Sequence, residues 1–215
     1  MIKHTNEFER LGCTVVSSVI SETQIATAEA FCDSVKLSRA GTHDLLALDW
    51  CAEMAKSIRE NSTVRALLGV SQTAVQCTLF VKDLERNWLV PLHRDYNVPF
   101  KTKIDSPNWS AWSIKQSVHF ARPPEDVLKA LVTVRVHLED TDIENGALQV
   151  VTGSHRSTRE DGERNAHFVP RGGAFVMRPL LLHASSKLKS GARRVLHFVY
   201  GPAELPDGAK WANVV

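Results

Sequence analysis

Trp88-Leu89-Val90-Pro91-Leu92-His93-Arg94-Asp95 decides what kind of fold this chain can form. If residues 90–95 are extended, side chains alternate between the two faces, so His93 and Asp95 point one way and Arg94 the other. Two histidines and one carboxylate are the minimal set that holds a non-haem Fe(II) on one face and leaves other positions open. The missing histidine must come from a distant strand, and Leu182-His183 offers it, with Arg193 one strand further on. A guanidinium there supplies a planar fork for an organic carboxylate. A His-x-Asp tripeptide arises often by chance, and a single buried histidine is more often a satisfied core residue than a ligand. The weight therefore lies in the recurrence of His and Arg downstream, not in the tripeptide.

The text between these points carries a family resemblance. Gln76-Cys77-Thr78-Leu79-Phe80 leads into the opening stretch. Leu138-Glu139-Asp140 runs through Asn145-Gly146-Ala147-Leu148 to Gly153-Ser154-His155-Arg156. Arg178-Pro179-Leu180-Leu181-Leu182-His183-Ala184-Ser185-Ser186 and Arg193-Arg194-Val195-Leu196-His197-Phe198 follow in order. In order and gaps these stretches resemble the phytanoyl-CoA dioxygenase-like branch of the Fe(II)/2-oxoglutarate-dependent oxygenases. The resemblance covers residues 75–211, and the segment Glu204-Leu205-Pro206-Asp207-Gly208 is similar to that of a bacterial subgroup of unknown substrate.

The resemblance implies a double-stranded β-helix (a jelly-roll or cupin-like barrel) and a Fe(II) site made of His93, Asp95 and His183. It also implies the cosubstrates 2-oxoglutarate and O2, with release of succinate and CO2. Relatives that halogenate place a small residue where Asp95 stands, so the carboxylate points to hydroxylation. The cosubstrate arginine of the family lies seven residues before the aromatic residue that ends its strand, which selects Arg193 against Tyr200; Arg194 is the runner-up, since apolar parity alone separates neither. Gln76, Thr133 and Ser185 are further candidates for contact with 2-oxoglutarate. The resemblance argues against His155 as a ligand, because its Gly-Ser-His-Arg segment is a turn beside the barrel. His4, His43, His119 and His167 belong to no constellation and are expected to face solvent.

The strand expected over residues 130–138 places Val132, Val134 and Val136 on one face and Thr133, Arg135 and His137 on the other. Such a stripe is explained by solvent exposure. Inside a barrel it would need partners, since unpaired burial of polar groups is costly. In that setting Arg135 and His137 become candidates for the primary substrate, with Arg135 facing a carboxylate or phosphate.

Composition bounds the alternatives. A chain of 215 residues with 43% hydrophobic content is long enough for one domain with a substantial core. The formal net charge of +2, with acids and bases intermixed, gives no general case for nucleic acid or an anionic membrane as partner. Cys13, Cys32, Cys51 and Cys77 are scattered without a CxxC, as expected of reduced thiols in the cytoplasm. No signal-like or membrane-spanning segment is evident. A small-molecule substrate is the expected partner; oligomeric state is open.

The fold class expected is α+β, mainly β, with N-terminal helices packed on one face of the β structure. One domain over residues 1–215 divides into a helical part, residues 1–70, and a β core, residues 71–215. A short strand is expected over residues 12–17. Ser21-Glu22-Thr23-Gln24 reads as a capping box opening a helix toward residue 35, and a second helix is expected over residues 51–68, ended by Gly69. Strands are expected at residues 75–82, 130–138, 148–151, 174–178 and 195–200. Residues 99–124 form the least regular stretch, readable either as a lid over the site or as a surface insertion whose tryptophans cap the core. The function these features support is Fe(II)- and 2-oxoglutarate-dependent hydroxylation of an unactivated C–H bond in a small polar molecule that can carry an anionic group. The alternative is a cupin-like metal protein that does not use 2-oxoglutarate and would not depend on Arg193.

Overall fold

The computed structural model describes residues 2–35, 41–42, 44–69 and 72–215. The chain opens with α1 (Ile2–Leu11), β1 (Cys13–Val16), α2 (Glu22–Ser34), β2 (Gly41–Thr42), α3 (Asp49–Glu60) and α4 (Ser62–Leu68). The β part follows: β3 (Gln72–Lys82), β4 (Val90–His93), β5 (Val98–Phe100), β6 (Ser110–Lys115), β7 (Val118–Arg122), α5 (Glu125–Ala130), β8 (Val132–His137), β9 (Leu148–Val150), β10 (Asn165–His167), β11 (Ala174–Met177), β12 (His183–Ser185) and β13 (Arg193–Pro202).

Pairing among the described strands is antiparallel. The strands form a six-stranded sheet, β1-β11-β8-β13-β3-β2, a four-stranded sheet, β10-β9-β12-β4, and a three-stranded sheet, β5-β7-β6. This is the mainly β, jelly-roll type of arrangement expected, although the strand pairs do not join into a closed barrel among the described residues.

The large sheet buries its two faces differently. Val132, Val134 and Val136 of β8, with Leu196, Phe198 and Tyr200 of β13, pack against Ile25 of α2, Met54 and Ile58 of α3, and Val64 of α4. Each such side chain, fully buried, contributes about 1.5–3 kcal/mol of transfer free energy. Tyr200 completes this face by donating its hydroxyl proton to Ala55 O at 2.8 Å. The opposite face of the same strands carries the polar residues of the site.

Local chemistry explains the helix boundaries. Ser21 Oγ accepts from Gln24 N while Gln24 Oε1 accepts from Ser21 N, the reciprocal cap expected of the sequence. The single helix expected over residues 51–68 is two. Asn61 leaves helical geometry, and its Oδ1 accepts from Thr63 N and Val64 N at 3.1 and 3.2 Å, so it ends α3 and caps α4. Gly69, at φ +81°, closes α4. Helix α1 was not anticipated: its segment is polar, and only a narrow face is buried, through Phe8.

Residues 99–124 are more regular than expected, because they build the three-stranded sheet. Phe100 stacks on Trp211 at 5.2 Å and meets Trp109 edge-on at 4.8 Å. Trp109 is buried and donates its indole N–H to Asp207 Oδ2 at 3.0 Å. The tryptophan therefore anchors this sheet to the C-terminal segment.

Candidate metal centre

Strand alternation works as the sequence suggests around β4. His93 and Asp95 face a cavity, and Arg94 points away from it. Arg94 donates to Leu180 O at 2.8 Å and to the carbonyls of Ser154, Ser157 and Arg159, which pins β4 to the turns flanking the His183 strand. His183 lies opposite His93 in the β4–β12 pairing, and the two imidazole rings are 4.2 Å apart, centre to centre. The backbone N–H of Asp95 donates to Pro179 O at 2.9 Å, bringing the carboxylate to the same point.

One ligand atom from each of His93, Asp95 and His183 lies within 4.8 Å of the others. His93 Nδ1 stands 2.8 Å from Pro91 O, and His183 Nδ1 stands 2.8 Å from Leu181 O. A carbonyl can only accept, so each Nδ1 carries the proton and each Nε2 offers a lone pair. Those Nε2 atoms face the carboxylate, at 3.5 Å from Asp95 Oδ1 and 3.6 Å from Asp95 Oδ2. Asp95 Oδ2 is buried with no hydrogen-bond partner among the described residues. Two oriented lone pairs and an idle carboxylate oxygen fit a divalent cation.

The electrostatics of the three groups differ. Burial alone would push the Asp95 carboxyl up, but His183, His93 and His197 around it hold it well below the usual carboxylate range. Burial lowers His183 to about 4, so its ring is neutral and able to ligate at pH 7. His93, although burial opposes it, is held up by Asp95.

The cavity, about 300 Å³, runs between the large and the four-stranded sheets and is partly covered by the three-stranded one. From β13, Arg193, His197 and Val199 line it; from β3, Gln76, Thr78, Phe80 and Lys82; from β8, Thr133 and Arg135. Ser185 reaches it from β12, and Lys115 and Phe120 from the β6–β7 hairpin.

Arg193 and Arg194 differ in burial and in partners. Arg193 is 5% exposed, faces the cavity and donates to Ser185 Oγ at 3.1 Å. Burial, and then Arg135, lower it to about 10, so it stays charged at neutral pH. Arg194 lies on the other face, paired with Glu139 and, at 2.9 Å, with Glu29 of α2. Behind the Arg193 end, Gly146 (φ +74°) turns so close to β12 that a Cβ would stand 2.9 Å from Ser186 O.

The polar stripe of β8 faces inward, but its members differ. Thr133 and Arg135 reach the cavity, whereas His137 does not line it. The His137 ring is 2% exposed, and neither of its nitrogens has a hydrogen-bond partner among the described residues. Burial, then Arg135 and Arg193, hold it neutral, well below its ordinary value. Gln76 donates its amide to Thr78 Oγ1 at 3.1 Å and leaves Oε1 without a partner there. His155 contacts Glu9 O at 3.1 Å and stands outside the metal group. His119 and His167 are half-buried rather than solvent-facing, against Trp112 and Phe175 respectively. His43 lies outside the described residues, as does the side chain of His4.

Lys82 and His197 are among the cavity residues that the sequence reading does not assign to the site. Lys82 is 1% exposed, donates to Ser185 Oγ at 2.6 Å and Ser186 O at 2.9 Å, and stands over the Trp88 ring. Burial, then Arg193 and Arg135, lower it to about 7. Its parity with Gln76, Thr78 and Phe80 was the signal available. His197 shares parity with Arg193; its Nδ1 lies 2.8 Å from Arg135 NH1 and its Nε2 3.9 Å from Asp95 Oδ2. A guanidinium only donates, so Nδ1 accepts, and the neutral ring carries its proton on Nε2.

Comparison with known proteins fits this geometry. The profile of the phytanoyl-CoA dioxygenase family (PhyH) matches residues 8–196. No curated protein sequence matches the chain. Among solved structures, the fold is similar to that of the non-haem α-ketoglutarate-dependent carbocyclase SnoK from nogalamycin biosynthesis (TM-score 0.69, 17% identity, 98% of this chain and 86% of that one). It is similar to HygX from Streptomyces hygroscopicus with nickel and 2-oxoglutarate bound (TM-score 0.66, 17% identity, 94% and 87%). It is also similar to the epimerase SnoN in complex with Fe3+, α-ketoglutarate and nogalamycin RO (TM-score 0.70, 15% identity, 96% and 90%).

Proposed function

The chain belongs to the phytanoyl-CoA dioxygenase family of non-haem Fe(II)- and 2-oxoglutarate-dependent enzymes, and on that premise we propose that it hydroxylates an unactivated C–H bond of a small, polar, anionic molecule. The observation that carries this reading is the group His93, Asp95 and His183 at the cavity wall, with both Nδ1 atoms committed to carbonyls and both Nε2 atoms turned to the carboxylate. When bound there, iron with 2-oxoglutarate and O2 supplies the oxidant: the cosubstrate loses CO2 and becomes succinate, one oxygen atom enters succinate and the other enters the substrate C–H bond.

The protein's own part is placement and charge. His93, Asp95 and His183 hold the metal on one side and leave its other positions to the cavity. Arg193 receives the far carboxylate of 2-oxoglutarate, with Ser185 and Lys82 beside it; a guanidinium fork suits a carboxylate because two parallel N–H bonds match its two oxygens. Gln76, through its second amide N–H, is assigned to a remaining oxygen of the cosubstrate, whereas Thr133, beside Arg135 on β8, is assigned with it to the substrate. Arg135 is assigned to the anionic group of the substrate. His137 does not line the cavity and takes no part in substrate contact on this reading. At about 300 Å³ the cavity is at the lower end of the roughly 300–1,000 Å³ common for ligand sites, which favours a small substrate. Phe80, Trp88, Phe120 and Val199 supply apolar walls that exclude water, and the sheet β5–β7 is assigned the role of cover. Residues 1–215 act as one oxygenase domain on this reading.

The test needs no substrate. Apo-protein is mixed anaerobically with Fe(II) and 2-oxoglutarate and examined for the visible metal-to-ligand charge-transfer band, beside Asp95→Ala and Arg193→Ala. A band in the wild type, lost or much weakened in both variants, supports the reading. Fe(II) binding without a band would move it to a metal site that does not use 2-oxoglutarate.

A further inference from the structure

Among the described residues, the cavity is lined by four Lys and Arg side chains, Lys82, Lys115, Arg135 and Arg193, and by one carboxylate, Asp95. Filling the site as proposed above does not remove the excess. Fe(II) brings two positive charges and 2-oxoglutarate two negative ones, which cancel. Lys82 and Arg193 converge on Ser185 Oγ and serve the cosubstrate end. Arg135 and Lys115 are left without a counter-charge.

Arg135 is the more telling of the two. It is 8% exposed, yet it has no ion-pair partner among the described residues, and its one hydrogen bond goes to a neutral imidazole, His197. Its Nε lacks a partner. Thr133 lies two residues earlier on the same strand face; it is fully buried, and its Oγ1 also lacks a partner. The nearest carboxylate, Asp95, acts on this guanidinium only across His197, and a buried guanidinium so poorly compensated favours a ligand that supplies an anion. His197 holds one edge of the guanidinium of Arg135, which lines the cavity, and so preorganises it as a seat for an oxyanion. Lys115 lies nearer the opening, on the β6–β7 hairpin, with Nζ 4.9 Å from the centre of the Phe120 ring and no carboxylate partner among the described residues.

We propose that the primary substrate carries at least two negative charges, one oxyanion group being seated on Arg135 and Thr133 while Lys115 meets the remaining charge. This rests on the oxygenase reading and deepens it, from an anionic molecule to a doubly anionic one with Arg135 and Lys115 as its specificity residues. Both charges reside on one group in a phosphate or phosphonate, and on two in a dicarboxylate.

The test is a titration of the anaerobic complex with Fe(II) and saturating 2-oxoglutarate at fixed ionic strength. The probes are methylphosphonate, malonate, acetate and methylammonium, read by the shift of the charge-transfer band and by calorimetry. The expected result is that methylphosphonate or malonate binds without bleaching the band, with acetate about tenfold weaker and methylammonium not binding. Whichever dianion binds more tightly identifies the source of the two charges. Arg135→Gln should weaken that dianion about tenfold while 2-oxoglutarate affinity holds within about twofold, and Lys115→Gln should cost it about threefold. Arg135→Lys, which keeps the charge, should restore part of the loss and guards against misfolding as the explanation. The proposal is overturned if acetate or methylammonium binds as well as the dianions, if the dianions displace 2-oxoglutarate, or if Arg135→Gln weakens 2-oxoglutarate equally. Absence of any band would instead count against the oxygenase reading, and the calorimetric arm would still decide between dianion and monoanion.

Discussion

Arg193 and Lys82 lie opposite one another on neighbouring antiparallel strands and donate to the same oxygen, Ser185 Oγ, at 3.1 and 2.6 Å. A serine oxygen has two acceptor sites, and both are taken, so the Ser185 O–H is a donor left for something else. Two cations and a directed hydroxyl thus converge at one end of the cavity, the arrangement a carboxylate needs.

Arg193→Ala should therefore weaken 2-oxoglutarate by at least about thirtyfold, as expected when one partner of a buried charge pair is removed. Arg194→Ala, its sequence neighbour, should leave that affinity unchanged. It should instead lower the melting temperature by stripping Glu139 and Glu29 of their shared partner, a loss of about 1–3 kcal/mol. Anaerobic titration of 2-oxoglutarate and thermal denaturation, run on both variants, check the contrast.

Lys82 predicts a pH signature in stability. Its ordinary value is 10.5, and burial, then Arg193 and Arg135, lower it to about 7 in the fold. Between those values the unfolded chain binds the extra proton, so this group's contribution to stability rises with pH across that window. Below about 7 both states are protonated, and the fold carries the full cost of a buried ammonium. Lys82→Met removes that cost together with two hydrogen bonds, the latter a pH-independent offset. Relative to wild type, the variant should melt highest near about pH 6 and lose that advantage steadily toward about pH 9. A flat difference would show that the fold does not hold Lys82 depressed.

Asn61→Ala should cost about 1 kcal/mol, the usual loss of an N-cap, because Thr63 N and Val64 N lose their acceptor. Urea denaturation should show a lower midpoint with an unchanged slope, and 2-oxoglutarate binding should be unaffected.

Tyr200→Phe should cost roughly 1 kcal/mol, since Ala55 O loses its buried donor while the ring still fills its place. The same denaturation assay reads it. A much larger loss would mean that the β13–α3 contact depends on more than this bond.

Much of the site was legible because β-strand parity is local. The period of two placed His93 with Asp95 and against Arg94, and grouped Thr133 with Arg135 before any fold was known. The same rule applied to β3 groups Lys82 with Gln76, Thr78 and Phe80, although a lysine at a strand end is usually solvated. Parity also grouped His137 with Arg135, yet His137 stops short of the cavity, since facing inward does not fix how far along the strand the cavity extends. The α3–α4 break was missed because Ala, Met, Ile and Leu continue at helical spacing through Asn61, and only its side-chain cap separates the two helices.

By itself the sequence determined that helices precede a run of short strands, the capping box at Ser21, the faces of β4 and β8, and the ligand types available for a metal, because these depend on residues a few positions apart. Family resemblance favours Arg193, but strand parity leaves open which arginine enters the cavity, and the tertiary structure places Arg193 there. Arg193 and Arg194 differ by one step of the pleat, and only the packing of Glu139 and Glu29 on one face and of Ser185 on the other distinguishes them. It also brought together His93 and His183, Lys82 and Ser185, and Arg135 and His197 from distant parts of the chain. Partners so far apart are chosen by sheet register and burial, and no local pattern encodes either.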